Sequence, residues 1–415
     1  CIRDRITADI RVPECDTMSV TEVERIPCTK EFKEKVIKAY FGDSQVYYYD
    51  YAHMTKKELE EIIETLDRDN NSLPDDASEE ILKWHDDMKT ECTKALETAA
   101  DVWTEATEYD SCDDFVGKIG DTWFHLQFSR AEDDNSVLSG IQSYPLDRCV
   151  KRVSDGEPDE RSTIFDDGYV KQYYGPKSLK EYDTVRYLNG DFIVGDMPVS
   201  DVNEANISFD EAKKKAGDFM QAIGIESMIK TGESDCEWEG YNKTEDNVYK
   251  EGDVHRAIWG YALEYSLGAD DVVYSKSLNI FDYSAYYSKF PSMGCPNYET
   301  GSFNVNEYGV YRFDIAEPVS IVKKQQKVEL LPVSNIYKIA RNELESHPDK
   351  YIVEADTQYR YLTLGYIRVK DSSDSQRFSY IPAWSLELLQ RGEVESCPVF
   401  VNAIDGTVIE PEQIF

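Results

Sequence analysis

Histidine, cysteine and carboxylate side chains are the groups with which this chain could do chemistry, and their spacing is informative mainly by what it withholds. The five histidines are His53, His85, His125, His255 and His347. None stands at the i, i+4 spacing by which a helix presents two imidazoles to one zinc ion. His347 precedes Pro348 and reads as a helix terminus, and His85 beside Trp84 reads as the border of an apolar helix face. All five are expected to be structural or solvated. Asp67-Arg68-Asp69-Asn70-Asn71 carries the alternating oxygens of a calcium loop. Such a loop needs Gly at its sixth position and a bidentate Glu at its twelfth. Ser72 and Ser78 stand there instead, with Pro74 between them, so an acidic interhelix loop is expected over 67–76. No GxSxG elbow and no phosphate-cradling GxxxxGK[ST] loop occurs. Ser139-Gly140 and Ser292-Met293-Gly294 read as turns. Glycoside hydrolysis needs two carboxylates across one bond. With 81 acids no pair is selected, and Glu237-Trp238-Glu239 and Asp270-Asp271 read equally well as solvated loop charges. No catalytic residue, metal ligand or cofactor is assigned.

Aromatic clusters offer the better recognition surface. Tyr47-Tyr48-Tyr49-Asp50-Tyr51, Tyr173-Tyr174 and the tyrosines from Tyr283 to Tyr287 could stack on sugars or peptides. The competing reading packs them inside a sheet, where tyrosine is also favoured. The nine cysteines, at 1, 15, 28, 92, 112, 149, 236, 295 and 397, form no CxxC, so zinc knuckles and thioredoxin-type motifs have no support. Cys15 with Cys28 and Cys92 with Cys112 could each close a small loop. Buried free thiols are the alternative.

The balance of 81 acids against 45 bases, a net charge of −36, argues against nucleic acid, which needs a basic face to displace counterions. The longest basic run, Lys213-Lys214-Lys215, reads as a solvated helix face. An anionic membrane would repel the chain, so attachment would require a lipid. No apolar run approaches the roughly 18–20 residues that span a bilayer. The sequence opens on Cys1, the residue type that carries the lipid in mature bacterial lipoproteins, although residues 2–13 look like a strand rather than a tether. Cys1 is therefore a candidate lipid-attachment site, beside the alternative of an arbitrary boundary.

Several elements could position these groups. Residues 30–41 form a helix with Phe32, Val36, Ile37 and Tyr40 on one side. Residues 55–66 form another, opened by the capping box Thr55-Lys56-Lys57-Glu58. A long helix is expected over 78–106, with Ile81, Trp84, Met88, Leu96, Ala99 and Trp103 on its apolar side. Trp123-Phe124-His125-Leu126-Gln127-Phe128 is strand-like, and a domain boundary falls between about 110 and 205. Ser208-Phe209-Asp210-Glu211 opens a helix stopped by Gly224, followed by strands at 257–267 and 309–316. Ser334 caps a further helix stopped at His347-Pro348, followed by strands at 351–370, 377–386 and 399–409. In the last, Asp405-Gly406 has the chemistry of a type I′ turn. A helix followed by antiparallel strands, twice over, gives an α+β fold of antiparallel sheets covered by helices.

The pattern from Ser208-Phe209-Asp210-Glu211-Ala212 through Tyr308-Gly309-Val310, Leu362-Thr363-Leu364-Gly365-Tyr366 and Ile381-Pro382-Ala383-Trp384 to Asn402-Ala403-Ile404-Asp405-Gly406 resembles a family of uncharacterised extracytoplasmic lipoproteins of gut Clostridia. Its last block resembles the PepSY unit, a helix on an antiparallel sheet ending in a hairpin. The layout is similar to extracytoplasmic regulators of a cell-wall sensor kinase. The resemblance covers about 200–415. It implies two PepSY-like units, a helix-rich region at 1–120 followed by units at 121–330 and 331–415. It also implies a surface binding or regulatory protein rather than an enzyme, anchored by lipid and meeting a protein or cell-envelope partner. A carbohydrate-binding or glycan-hydrolysing role is the alternative, marked by a cleft with two carboxylates and flanking aromatics.

Overall fold

The computed structural model describes the chain except residues 1–8, 13–17, 73–78, 111, 121, 132–133, 147–161, 165–169, 173–174, 183, 189–198, 226–227, 244–248, 270–271, 275–298, 326–327, 349, 351–357, 372–373, 390–398 and 415. Cys1, Tyr173-Tyr174, the tyrosines from Tyr283 to Tyr287, Asp270-Asp271 and Ser292-Met293-Gly294 lie outside the described residues. The fold is α+β, with long antiparallel sheets and helices packed on them.

The larger sheet runs β3(Val46–Tyr48), β4(Asp114–Ile119), β5(Thr122–Arg130), β6(Leu138–Pro145), β15(Gly309–Ala316), β14(Thr300–Asn306), β12(Tyr249–Ala269), β11(Met228–Lys243) and β9(Thr184–Leu188). β10(Val199–Asn203) and β13(Val272–Val273) also pair with β12. The smaller sheet runs β1(Asp9–Arg11), β17(Gln358–Asp371), β18(Asp374–Leu389), β19(Val399–Asn402) and β20(Val408–Ile409). In it, β2(Val20–Arg25) pairs both β18 and β16(Val319–Gln325). A two-stranded ribbon joins β7(Ser162–Ile164) to β8(Val170–Gln172). Strands before residue 120 thus share a sheet with strands after it, and β2 joins the C-terminal sheet.

Period-two alternation decides the faces of the large sheet. Phe124, Leu126 and Phe128 of β5 enter a core with Phe115 of β4 and with the apolar faces of α1(Lys30–Phe41) and α4(Phe209–Ile223). Both helices start as the sequence dictates. Thr29 Oγ1 accepts from Phe32 N, Ser208 and Glu211 close a complete capping box, and Gly224 ends α4 in the left-handed region. On α5(Val333–Ser346), Ile336, Ala340 and Leu344 pack on the smaller sheet, as expected. Its N-cap is Pro332, not Ser334, and no side chain caps it. Residues 405–406 do lie at a hairpin tip. The loop is longer than a two-residue type I′ turn: Asn402 N bonds Thr407 O, Gly406 N bonds Asn402 O, and only Gly406 takes positive φ. A short α6(Pro411–Ile414) closes the chain.

Other expectations change. α2(Lys56–Ser72) runs six residues into the stretch expected as a loop, and the rest of that stretch lies outside the described residues. α3(Glu79–Leu96) stops ten residues short of residue 106. Trp103 leaves the helix to join Tyr47, Tyr49 and Trp123 in a separate aromatic core, where Glu58 accepts its indole N–H. Ile81 and Trp84 are exposed, and His85 and Cys92 are the buried line of α3. Glu237-Trp238-Glu239 lies in β11 between β9 and β12, with Glu239 buried 4.0 Å from Arg256. Ser139-Gly140 lies within β6. Cys92 and Cys112 are free, as are Cys28 and Cys236.

Candidate functional site

On the face of β4–β6 turned away from α1 and α4, the alternation that buries Phe124 and Leu126 sets out His125 and Gln127. These side chains meet their cross-strand neighbours. Gln127 lies opposite both Asp114 and Gln142, and His125 lies opposite Tyr144. Asp114 Oδ1 accepts from Gln127 Nε2 at 2.9 Å and lies 2.9 Å from His125 Nε2. The other ring nitrogen, Nδ1, lies 2.5 Å from the Tyr144 hydroxyl. Gln142 donates to the Gln127 amide oxygen in turn. A cavity of about 580 Å³ opens over this array. Ile62 of α2 and Met88 of α3 line its helical side, and Tyr49, Asp50 and Tyr51 line the turn after β3.

The hydrogen bonds fix the chemistry of the wall. An ionised Asp114 requires the proton on His125 Nε2, so in the neutral ring Nδ1 accepts from Tyr144. Tyr144, 38% exposed, then presents oxygen lone pairs. Protonating His125 reverses that bond, so the Tyr144 hydroxyl becomes a donor instead. The Tyr49 ring meets His125 edge-on at 5.0 Å and Trp103 at 6.1 Å, which connects the site to the aromatic core.

The residues entering β4 are pinned from below. Lys33, fully buried in α1, donates to the carbonyls of Tyr109 at 2.9 Å and Cys112 at 2.7 Å and pairs with Asp113 at 2.6 Å. Arg130 reaches the same carboxylate with Nε at 2.6 Å and a second nitrogen at 3.0 Å. Burial pushes the Asp113 carboxyl up, but the bonds from Arg130 and Lys33 outweigh it and hold it below the usual carboxylate range. Tyr49 N donates to Asp114 O at 2.8 Å, joining the two segments that carry the carboxylates. Asp50 lies 2.5 Å from His53 Nδ1. Cys112 is buried beside them, and burial pushes its thiol up to about 12.

The tyrosine run therefore divides. Tyr47 and Tyr48 are packed inside the fold, Tyr49 is equally buried in the aromatic core but also lines the cavity, and Asp50 and Tyr51 line the cavity with it. His125, expected to be merely structural, lies at the centre of the polar array. Its signal in the sequence was the alternation Phe124-His125-Leu126-Gln127-Phe128, which puts an imidazole and an amide on the face opposite three large apolar side chains. Asp114 and Tyr144 left no such signal, because strand register alone brings them to His125. Lys214 pairs with Asp218 and Lys215 caps the Glu307 carbonyl, as befits a solvated helix face.

The fold and site define an α+β protein with a polar, aromatic-walled cavity between a helix pair and a sheet. No protein-family model matches the chain, and no curated protein matches it. Among solved structures it is similar to an uncharacterized protein from Eubacterium rectale ATCC 33656, at 12% identity over 99% of this chain and 92% of that one, with a TM-score of 0.36. It is also similar to the Bacillus megaterium YpeB C-terminal domain, at 8% identity over 93% of this chain and 97% of that one, with a TM-score of 0.22. Neither likeness is strong enough to define a shared fold. No helix among the described residues is long and apolar enough to cross a membrane.

Proposed function

We propose that this chain is a binding protein of the cell exterior whose cavity takes a small uncharged polyol, of which a glycan segment is the natural class. The observation that carries this reading is the gathering of Asp50, Asp114, His125 and Gln127 with Tyr49, Tyr51 and Tyr144 around one space of about 580 Å³. Sugars are bound by this combination: planar acceptors and donors for hydroxyl groups, and aromatic rings for C–H faces. Two carboxylates in the wall and a net charge of −36 oppose anionic ligands. The resemblance of residues 200–415 to extracytoplasmic lipoproteins of gut Clostridia, with PepSY-like units, supports placement outside the membrane of a Gram-positive anaerobe. On this reading the partner is a component of the cell envelope.

A second reading, glycan hydrolysis, is favoured by the two carboxylates on one cavity. Binding is preferred because both are already held, Asp114 by His125 and Gln127 and Asp50 by His53. A general acid must turn its proton to the leaving group, and both carboxylates are engaged with other side chains instead. The test is calorimetry and tyrosine fluorescence with a panel of cell-wall and plant oligosaccharides, with release of reducing ends followed in parallel. Saturable binding without release is expected, weakened up to about tenfold by Tyr144→Phe, the worth of one hydrogen bond. Release that depends on Asp114 would favour the hydrolase. No saturation by any glycan, or saturation indifferent to Tyr144→Phe and His125→Ala, would sink the reading.

A further inference from the structure

Beside the cavity, three different metal-ligating side chains converge from two segments of the chain. Asp50 and His53 stand on the turn after β3, and Cys112 stands on the segment entering β4. One donor atom from each, a carboxylate oxygen, a ring nitrogen and a thiol sulfur, lies within 4.8 Å of the other two. From this geometry we infer that Asp50, His53 and Cys112 form a binding site for a borderline transition-metal ion, with zinc as the expected occupant.

The donor set selects the metal. Calcium and magnesium take oxygen ligands and do not favour a thiolate, whereas a mixed sulfur, nitrogen and oxygen set suits zinc. Charge also agrees, since one thiolate and one carboxylate neutralise a dication. Bond lengths of about 2.0–2.3 Å around tetrahedral zinc place neighbouring donors roughly 3.3–3.8 Å apart. The present donors, within 4.8 Å of one another, have at most about 1–1.5 Å to close to reach that spacing. The Asp50–His53 contact of 2.5 Å opens, with the ion replacing the proton between them, and Cys112 binds as thiolate, releasing to solvent the proton that it now donates to Asp114 O at 3.0 Å.

The backbone beneath the three residues is already fixed, so little ordering is left for the ion to impose. His53 N and Met54 N both donate to Asp50 O at 3.0 Å, which sets the turn. The Tyr48 ring lies 4.6 Å from the His53 ring, and the Tyr48 hydroxyl accepts from Glu108 N and donates to Glu108 O. Lys33 holds the Cys112 carbonyl. Cys112 is 2% exposed, while the Asp50 and His53 side chains are each 31% exposed, which gives the ion an entry from their side. Three protein ligands leave one position for water or a ligand. Asp50 also lines the cavity, so that position lies beside it.

The experiment is zinc titration of the metal-stripped protein against a chromophoric chelator, with cobalt as a spectroscopic substitute. One ion per chain is expected, with a sulfur-to-cobalt charge-transfer band in the near ultraviolet. Cys112→Ser should abolish the band, and Cys112→Ser and His53→Gln should each weaken zinc by at least about tenfold, the least that loss of a ligand costs when even outer partners cost 10–100-fold. Cys92→Ser, at an equally buried free thiol of α3, should change neither. Near-ultraviolet circular dichroism of the metal-free variants checks that they fold, and His53→Gln provides the readout if Cys112→Ser does not. No uptake, or uptake by the acidic surface that ignores both substitutions, would overturn the assignment. The titration requires no glycan, so its result and that of the cavity proposal are independent.

Discussion

Lys33 is the residue on which the geometry of the site depends most directly. Its ammonium is fully buried and meets two carbonyls and a carboxylate, all on the segment that delivers Cys112, Asp113 and Asp114 to the sheet. Removing one partner of a buried pair strands the rest. Lys33→Met is expected to lower stability by about 3–5 kcal/mol in urea denaturation. Asp113 makes the same contact sensitive to acid. Its folded carboxyl ionises below the ordinary aspartate value of 3.8, so its contribution is complete above that pH and is lost as pH falls through the folded value. Asp113→Asn should remove that segment from a plot of stability against pH. Glu58 is the second such residue. Its Oε2 accepts from Thr55 N at 2.9 Å, Thr55 Oγ1 at 2.7 Å and Trp103 Nε1 at 2.9 Å, so it both caps α2 and anchors the aromatic core. Glu58→Ala should cost about 2–3 kcal/mol, more than a simple cap, because a buried indole N–H loses its acceptor as well. Thermal melts of Glu58→Ala beside Thr55→Ala separate the two effects.

Among the elements, β12 carries the strongest local constraint. It pairs with four strands on its two edges and must bend to do so. The bend is at Gly260, whose φ is +108°, and whose N–H and carbonyl are both held by the Asn203 side chain. A Cβ there would lie 2.3 Å from the Val305 carbonyl oxygen, on the neighbouring strand β14. Backbone strain and overpacking add, so Gly260→Ala should destabilise by about 2–5 kcal/mol. A chemical melt of that variant with unchanged stability would contradict the bend. The helix pair α2–α3 is the other telling element. Its capping and its period were visible in sequence, but the face it buries was not. Trp84 is 55% exposed while His85 and Cys92 are buried and Met88 lines the cavity, so α3 turns this line inward rather than its most hydrophobic residues. Hydrophobicity ranked the faces, and the partner helix chose between them.

At the scale of the whole molecule, the two sheets are tied by a buried polar group. Glu299, at the start of β14, lies under the Arg368 guanidinium at 3.6 Å and accepts from the Tyr380 hydroxyl, both residues belonging to the smaller sheet. Tyr274 stacks on Tyr380 at 4.2 Å and bonds Thr21 of β2. Burial raises the Glu299 carboxyl above the ordinary glutamate value of 4.5, against the pull of Arg368 and Tyr380. The folded state therefore holds this proton more tightly than the unfolded chain. The stability it contributes is present below pH 4.5 and declines as pH rises through the folded value. Denaturation midpoints should fall over that window in the wild type, and Glu299→Gln should flatten the fall. An unchanged slope would show that the carboxylate is fully compensated.

The sequence by itself determined the α+β class, the capped starts of α2 and α4, the helix-on-sheet unit at the C-terminus and the hairpin at Gly406. Each of these follows from side chains within a few positions of one another, where capping, periodicity and positive φ act locally. It offered the whole run from Tyr47 to Tyr51 as a recognition surface beside the reading that packs it in a sheet, and could not divide the run between the two. The tertiary structure decided the rest. Asp114, His125 and Tyr144 meet because three strands pair in one register, and a shift of one residue would turn all three to the opposite face. Asp50, His53 and Cys112 meet because a lysine of another helix holds a carbonyl some eighty positions away in the chain. Contacts of that kind depend on packing between distant segments, and no local pattern records them.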